Sequence, residues 1–331
     1  MHYGTTEAYN NSTKGGIYLD TSVVTESIVA LFIMILAGVY GQRRNIITEE
    51  MNKGLVNILI EIALPFMIFS SFLHTFDGTI KKNVFKTIYY SLGTYFLMAV
   101  ISYLMLLPVK GDKKTILHFA NIFVNTGYVG IPVLNALYGP EGVVYGSIFN
   151  MFFVLFLWTY GIIMFKGSLT AGEIEPELKK ALLNPSIIAV FAGFLIMFFN
   201  IKVPGMVTNA SRGIGNLTVP LSMMIIGCIL SRVKVKVYLR DWTVYYGVVV
   251  KLIIIPAIIY LASLLVKTSS IPVNNIPINT AVIMSALPAS AMTSIFADAF
   301  DKEREYAAFF VSVTTLLSLV TIMFFINILK K

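Results

Sequence analysis

The chain has 331 residues, of which 57% are hydrophobic and 13% charged, with a mean hydropathy of +0.80. That leaves too little polar surface to cover a water-soluble globule, so composition excludes a soluble domain and points to a polytopic membrane protein. The formal net charge of +8 is then a matter of how basic residues divide between loops, and it implies no nucleic-acid partner.

In chain order, residues 1–22 read as a polar extracytoplasmic tail without the basic stretch and small-residue cleavage site of a signal peptide, so the first span is expected as an uncleaved anchor. Ten apolar runs near 20 residues follow, each long enough for a hydrocarbon core of roughly 30 Å. They lie at 23–40, 55–74, 87–109, 115–138, 143–165, 185–201, 206–231, 243–266, 276–298 and 305–328. The single Cys228 falls inside the seventh run and reads as a small packing residue. With the N-terminus outside, fifteen Lys and Arg collect in cytoplasmic loops against eight on the outer side, which predicts that both termini are extracytoplasmic.

A polar stretch at 167–184 divides the chain into a first set of five spans, 23–166, and a second, 185–331. An odd number per half forces opposite orientations, so an inverted repeat is expected. Placing Pro65 on Pro220 puts Glu61 on Asn216, and placing Tyr145 on Tyr306 brings Asn125-Thr126-Gly127 onto Ala286-Leu287-Pro288. In both halves the fourth span of the set is therefore interrupted: by Asn125, Thr126, Gly127, Gly130 and Pro132 in the first, by Pro288 in the second. Backbone released from helical bonding is tolerated at membrane depth only where it faces protein or a water-filled cavity, and paired interruptions of this kind mark transporter binding sites. Prolines and glycines are common in membrane helices, which accounts for Pro256 or Gly93 alone but less well for a matched pair.

The run Asn125-Thr-Gly-Tyr-Val-Gly-Ile-Pro132 followed by Tyr138-Gly139 resembles the fourth-helix signature of the auxin efflux carrier family, which includes the plant PIN proteins and bacterial malate and malonate permeases. Val219-Pro220-Leu221-Ser222-Met223-Met224-Ile225-Ile226-Gly227 resembles that family's seventh helix; Ala286-Leu287-Pro288-Ala289-Ser290-Ala291, Ala297-Asp298 and Thr314-Thr315-Leu316 resemble its ninth and tenth. The resemblance covers nearly the whole chain from about residue 23. It implies an all-α fold of ten transmembrane helices with broken, crossing helices 4 and 9, in the architecture shared with bile-acid symporters and sodium/proton antiporters. Helices 1, 2, 6 and 7 would form a scaffold, carrying Pro65, Asn216 and Pro220, and helices 3–5 and 8–10 a transport domain. The long cytoplasmic loop of many plant members is absent.

Carried over residue by residue, the resemblance implies function at Asn125, Pro132 and Pro288, with Asn150 near the position of a PIN glutamine on the fifth helix. The residues themselves add to this. Helix ends exposed by the breaks present free N–H groups that suit a carboxylate. Asn121 and Asn125, one helical turn apart, are expected to point into one cavity, with interhelical bonding as the alternative. Thr126 and Gly127 complete that side, and Ser290 and Thr293 are candidates on the other. Lys251 lies deep in the eighth span, where a charge costs about 2.5–3.5 kcal/mol unless it is paired. It is open between a counter-charge for an anion and a structural tie between broken-helix carbonyls that replaces a coupling cation. Glu61 is open between a proton carrier and a residue that snorkels or pairs with Arg212. His74, His118 and Arg212 read as interfacial.

The leading functional expectation is a secondary transporter of a small organic anion, working by alternating access, rocking or elevator-like, in the cell membrane. No Walker loop, His-Glu-x-x-His or Cys/His pair is present, so neither ATP-driven transport by this chain nor catalysis is expected, and no cofactor or metal is called for. Sodium coupling is not expected either: the ninth span offers Ala289, Ser290, Ala291 and Met292 where sodium-coupled relatives place a carboxylate or carboxamide. The rival from another class is a membrane sensor or receptor that keeps the fold without carriage. The expected partners are the anion, the bilayer and, through scaffold helices, a second copy.

Overall fold

A computed structural model describes residues 21–73, 78–167, 176, 179, 182–231, 238, 240–267 and 276–329. The expected tail, most of the stretch 167–184 and His74 lie outside the described residues. Within them the protein is all helical, with no strand beyond one isolated bridge.

The helices in chain order are α1 (Thr21–Arg43), α2 (Glu49–Ser71), α3 (Gly78–Met105), α4 (Gly111–Ile122), α5 (Thr126–Lys166), α6 (Pro185–Phe199), α7 (Gly205–Gly215), α8 (Thr218–Ser231), α9 (Trp242–Lys267), α10 (Ile276–Ser285), α11 (Met292–Ala299) and α12 (Arg304–Leu329). Six helical stretches among the described residues are long and apolar enough to cross a membrane, and the apolar stretches Val29–Arg43, Pro185–Phe199 and Ile276–Ser285 are shorter. The fourth and fifth of the ten runs read from the sequence meet in one helical stretch. The stretch Thr126–Lys166 runs for 41 residues, which as an unbroken rod would be about 60 Å long. Gly139 interrupts it with φ 60° and ψ −146°, a conformation open to glycine, and Pro140 follows.

Local chemistry sets the helix starts. Thr48 accepts from Met51 N–H ahead of Glu49 and Glu50; Asn184 accepts from Ser186 N–H ahead of Pro185; Asp241 accepts from Thr243 N–H. Prolines explain most of the irregular helix interiors. Pro65, Pro132 and Pro256 each stand two residues beyond a five-residue π turn, at Leu59–Ala63, Thr126–Gly130 and Val250–Ile254. A proline has no N–H for the carbonyl four residues back and its ring collides with that carbonyl, so the turn before it widens.

Two packed groups result. In one, α1 crosses α8 where Gly38 faces the Met224 backbone and Gly227 faces that of Ile35, contacts that admit no side chain. The same group includes α2, α6 and α7, with Gly215 against Met67 and the Phe72 and Phe194 rings edge to face at 5.4 Å. In the other, α4, α5 and α11 meet through Phe119, Phe123, Phe165 and Phe296, with ring centroids 4.4 to 5.9 Å apart. Where α4, α9 and α12 begin, Lys113 pairs with Asp241 at 2.6 Å, and Lys302 with Asp112 at 2.5 Å. Asp241 also accepts from the Thr243 hydroxyl, which meets Tyr306 OH at 2.8 Å.

Candidate functional site

Two non-helical segments inside the second group lie side by side. After α4 the chain leaves helical geometry at Phe123 (φ −89°, ψ 88°), and after α10 it does so at residues 286–291. The segments run antiparallel: Asn125 N–H donates to Pro288 O and Ser290 N–H to Phe123 O, both at 2.9 Å, around the Val124/Ala289 bridge. Ala289 N–H donates to Thr314 Oγ1 of α12 at 3.3 Å. Strand-like pairing satisfies donors that the helix breaks would otherwise strand in a low-dielectric interior.

The polar side chains are arranged around this bridge. Asn125 caps the following turn, its Oδ1 accepting from Tyr128 N–H at 3.2 Å. Thr126 Oγ1 donates to Asn150 Oδ1 at 2.6 Å, joining the start of α5 to the part that lies beyond Gly139. Ser290 Oγ accepts from Met292 N–H at 3.3 Å at the start of α11. Asn121, Asn125, Thr126, Asn150, Ser290 and Thr293 are all buried, and Asn121 Oδ1 and Thr293 Oγ1 have no hydrogen-bond partner among the described residues. The glycines permit the close approach: Gly127 faces Leu64, and a Cβ on Gly130 would come within 2.7 Å of Leu287 Cδ1 and 2.8 Å of Met284 Sδ on and beside α10.

Lys251 closes the arrangement from α9. The side chain is 0% exposed, and Nζ donates to Asn121 O at 3.2 Å and to Ser285 O at 3.4 Å. Those carbonyls belong to the C-terminal turns of α4 and α10, the negative ends of two helix dipoles, so one ammonium group compensates both. The positive ends, at the starts of α5 and α11, lie just beyond the bridge, where a carboxylate would be favoured.

Some expected groupings differ. Asn121 and Asn125 do not point into one cavity, because the helix ends between them: Asn121 Nδ2 donates to Ser102 Oγ of α3 at 3.0 Å, while Asn125 turns back onto its own chain. Glu61 sits in a π turn of α2 with its side chain on the exposed face beside Ile58 and Ile62; no ion pair with Arg212 occurs among the described residues. Asn216 and Pro220 are exposed and Pro65 buried, so the pair aligned by Pro65 and Pro220 does not share one environment. Pro132 stands within α5 rather than at the chain break, and Pro288 contributes its carbonyl to the pairing.

Sequence reading passed over Ser102, Tyr160 and the role of His118. His118 Nδ1 lies 2.8 Å from Ser102 Oγ and Nε2 3.1 Å from Tyr160 OH. The only available signal was a polar residue within an apolar run. Outside the spans, the Asp241 carboxyl, although burial pushes it upward, is held below its usual range by bonds from Lys113 and Thr243; the hydrogen bond to Asp241 holds Lys113 above its own.

Beside the paired segments a small, partly open apolar crevice lies between the two groups, lined among others by Leu31 and Ile35 of α1, Val129 and Val133 of α5, Met223 of α8 and Thr315 of α12. None of the polar residues anticipated for binding lines it.

Residues 23–326 match the family described as "Membrane transport protein". An uncharacterized transporter of Methanocaldococcus jannaschii is 24% identical over 307 residues, covering 89% of this chain and 95% of the relative. An uncharacterized transporter of Methanothermobacter thermautotrophicus is 23% identical over 226 residues, covering 67% of this chain and 73% of the relative. With interrupted apolar helices paired at a buried lysine and a family match across nearly its full length, the chain belongs to the membrane transport protein family of the auxin efflux carriers.

Proposed function

We propose that this protein is a secondary carrier of a small organic anion that binds at the paired helix breaks and crosses the membrane by alternating access. The observation that carries the proposal is the division of helix-end charge. The negative ends of α4 and α10 are already compensated by Lys251, while the positive ends of α5 and α11 have no charged partner in the contacts described above. An anionic carboxylate is the ligand that suits two such ends. The apolar crevice next to Val129 and Val133 would give the carbon body of such an anion an apolar surface to lie against.

The proposal includes ten helices in a 5+5 inverted repeat, with the α1, α2, α6–α8 group as scaffold and the α3–α5, α9–α12 group as moving part, cell-membrane location and extracytoplasmic termini. Glycine-mediated contact within the first group and aromatic packing within the second support motion between them, with the crevice on the dividing surface. A second copy would pair on the face of α2 and α7 that exposes Glu61, Arg212 and Asn216, groups poorly suited to lipid.

The test is uptake of [14C]malate, [14C]malonate and [3H]indole-3-acetate into proteoliposomes, with binding measured in parallel. Saturable uptake of one of them that Asn125→Ala removes supports the proposal. Saturable binding without uptake would establish the sensor alternative.

A further inference from the structure

We propose that His118 is a proton-binding site wired through Ser102 to the Asn121 carboxamide at the helix breaks; building on the carrier function proposed above, we infer that proton uptake there is coupled to anion binding.

The imidazole is held at both nitrogens by hydroxyl groups, Ser102 Oγ at Nδ1 and Tyr160 OH at Nε2. A hydroxyl can donate or accept, so both neutral tautomers and the cation fit without displacing a heavy atom. A backbone carbonyl in either place would fix the neutral tautomer, and a backbone N–H there would exclude the cation. The approach that brings Tyr160 to the ring is specifically built. Gly161, next to it, lies where a Cβ would stand 3.1 Å from Phe119 and 3.4 Å from Phe123, so α5 closes tightly on α4. Tyr160 itself lies in the π turn Leu157–Gly161, which no proline follows and in which the Thr159 hydroxyl donates back to Leu155 O at 2.8 Å. Single π turns of this sort concentrate at functional sites.

The connection to the breaks runs through one oxygen. Ser102 Oγ meets the ring and also accepts from Asn121 Nδ2 at 3.0 Å. In the neutral ring whose Nδ1 accepts, the Ser102 hydrogen points at Nδ1. When a proton from water binds Nδ1, that nitrogen becomes a donor, the Ser102 hydrogen must turn away, and Oγ accepts from ring and carboxamide together. Asn121 feels this strongly because its Oδ1 is buried without a partner among the described residues. Its own backbone carbonyl is one of the two held by Lys251.

Charge gives the direction of coupling. Lys114 stands one turn before the ring with Nζ 5.4 Å from the centroid of Tyr103; Tyr103 faces the ring from α3 at 6.3 Å and Tyr160 from α5 at 6.2 Å. Lys251 lies beyond Asn121 on α9. Near this level α4 meets α11 through Phe119 and Phe296 and meets α9 through Leu117 and Gly247, none of them ionisable. A proton on His118 therefore adds positive charge among groups that are cationic or neutral, and the arriving carboxylate supplies the counter-charge. Proton and anion favour each other's binding, reciprocally by linkage.

The chain has three histidines, so His2→Gln and His74→Gln leave His118 as the sole imidazole for NMR of the full chain in nanodiscs. Expected as pH is lowered is a passage of the ring nitrogens from neutral to protonated, with the Asn121 side-chain amide moving at the same midpoint. Ser102→Ala should uncouple the amide while the ring still titrates. A ring that keeps one protonation state, or an Asn121 amide indifferent to it, overturns the inference. In proteoliposomes, uptake of whichever of [14C]malate and [3H]indole-3-acetate is carried should rise at least about fivefold in apparent affinity as pH falls, and His118→Gln should flatten that profile. A His118→Gln profile identical to wild type overturns the coupling. If neither probe is carried at any pH, the carrier reading fails for those anions, while the titration and Ser102→Ala still decide the proton site.

Discussion

Lys251 and Glu61 occupy the same kind of place in the backbone and opposite places in the packing. Each is the single ionisable residue of a five-residue π turn that precedes a proline, Val250–Ile254 before Pro256 and Leu59–Ala63 before Pro65. Lys251 is 0% exposed and bonds two helix-end carbonyls, whereas Glu61 lies on the exposed side of α2 with Ile58 and Ile62. A π turn shifts the side chains after it around the helix, so depth along a span does not say which way a residue points. One ionisable group is built into the paired breaks, and the other is offered to whatever surrounds the chain.

Replacing Lys251 should show the largest effect. Lys251→Met strips two charge-assisted bonds at about 1.5 kcal/mol each or more, leaving both carbonyls buried and uncompensated. We expect a loss of about 3 kcal/mol or more, read as a lower melting temperature in detergent, and uptake at background. Wild-type melting and uptake in this variant would break the contrast.

Asn125→Ala comes next. Losing the cap on Tyr128 N–H should cost about 1 kcal/mol, a small change in melting, while uptake disappears because the same residue stands where the anion is proposed to bind. Wild-type uptake would remove Asn125 from the site.

The Lys113–Asp241 pair tests whether partnered charge at the rim matters as it does inside. It is partly exposed, so Asp241→Asn should cost no more than about 1 kcal/mol. Asp241 is held below its usual range, so its contribution is present above the ordinary carboxylate value and is lost as pH falls through the lowered one; Lys113 is held above its range, so its contribution is lost only as pH rises through the raised one. Melting curves of wild type and variant should converge at strongly acidic and strongly basic pH and differ between them. A constant difference would show that the pair contributes nothing through charge.

Glu61→Gln should have the smallest effect, within about 0.5 kcal/mol in melting of the monomer, as for other exposed positions. A large destabilisation would mean that Glu61 has a partner in the assembled membrane form, and would sharpen the comparison by supplying its missing half.

Both helix interruptions were legible because Asn125-Thr126-Gly127 and Pro288 place helix-breaking and polar residues inside apolar runs. Their antiparallel pairing was not, since it consists of main-chain bonds such as Asn125 N–H to Pro288 O that leave no mark in side-chain identity. The polarity of Asn121 was equally plain, but its direction was misjudged: a one-turn spacing to Asn125 has meaning only within a continuous helix, and the helix ends at Phe123. Ser102, His118 and Tyr160 come from three helices and are near one another only after α3, α4 and α5 pack. The family assignment was readable because it rests on motif order along the chain.

By itself the sequence determined membrane class, the places where helices break and the family, since hydrophobicity, proline and glycine act locally on solvation and backbone geometry. Only the tertiary structure decided which ionisable group is buried, which carbonyls Lys251 compensates and which hydroxyls hold His118. Those facts depend on distances between helices far apart in sequence, and burial and hydrogen bonding are set by those distances.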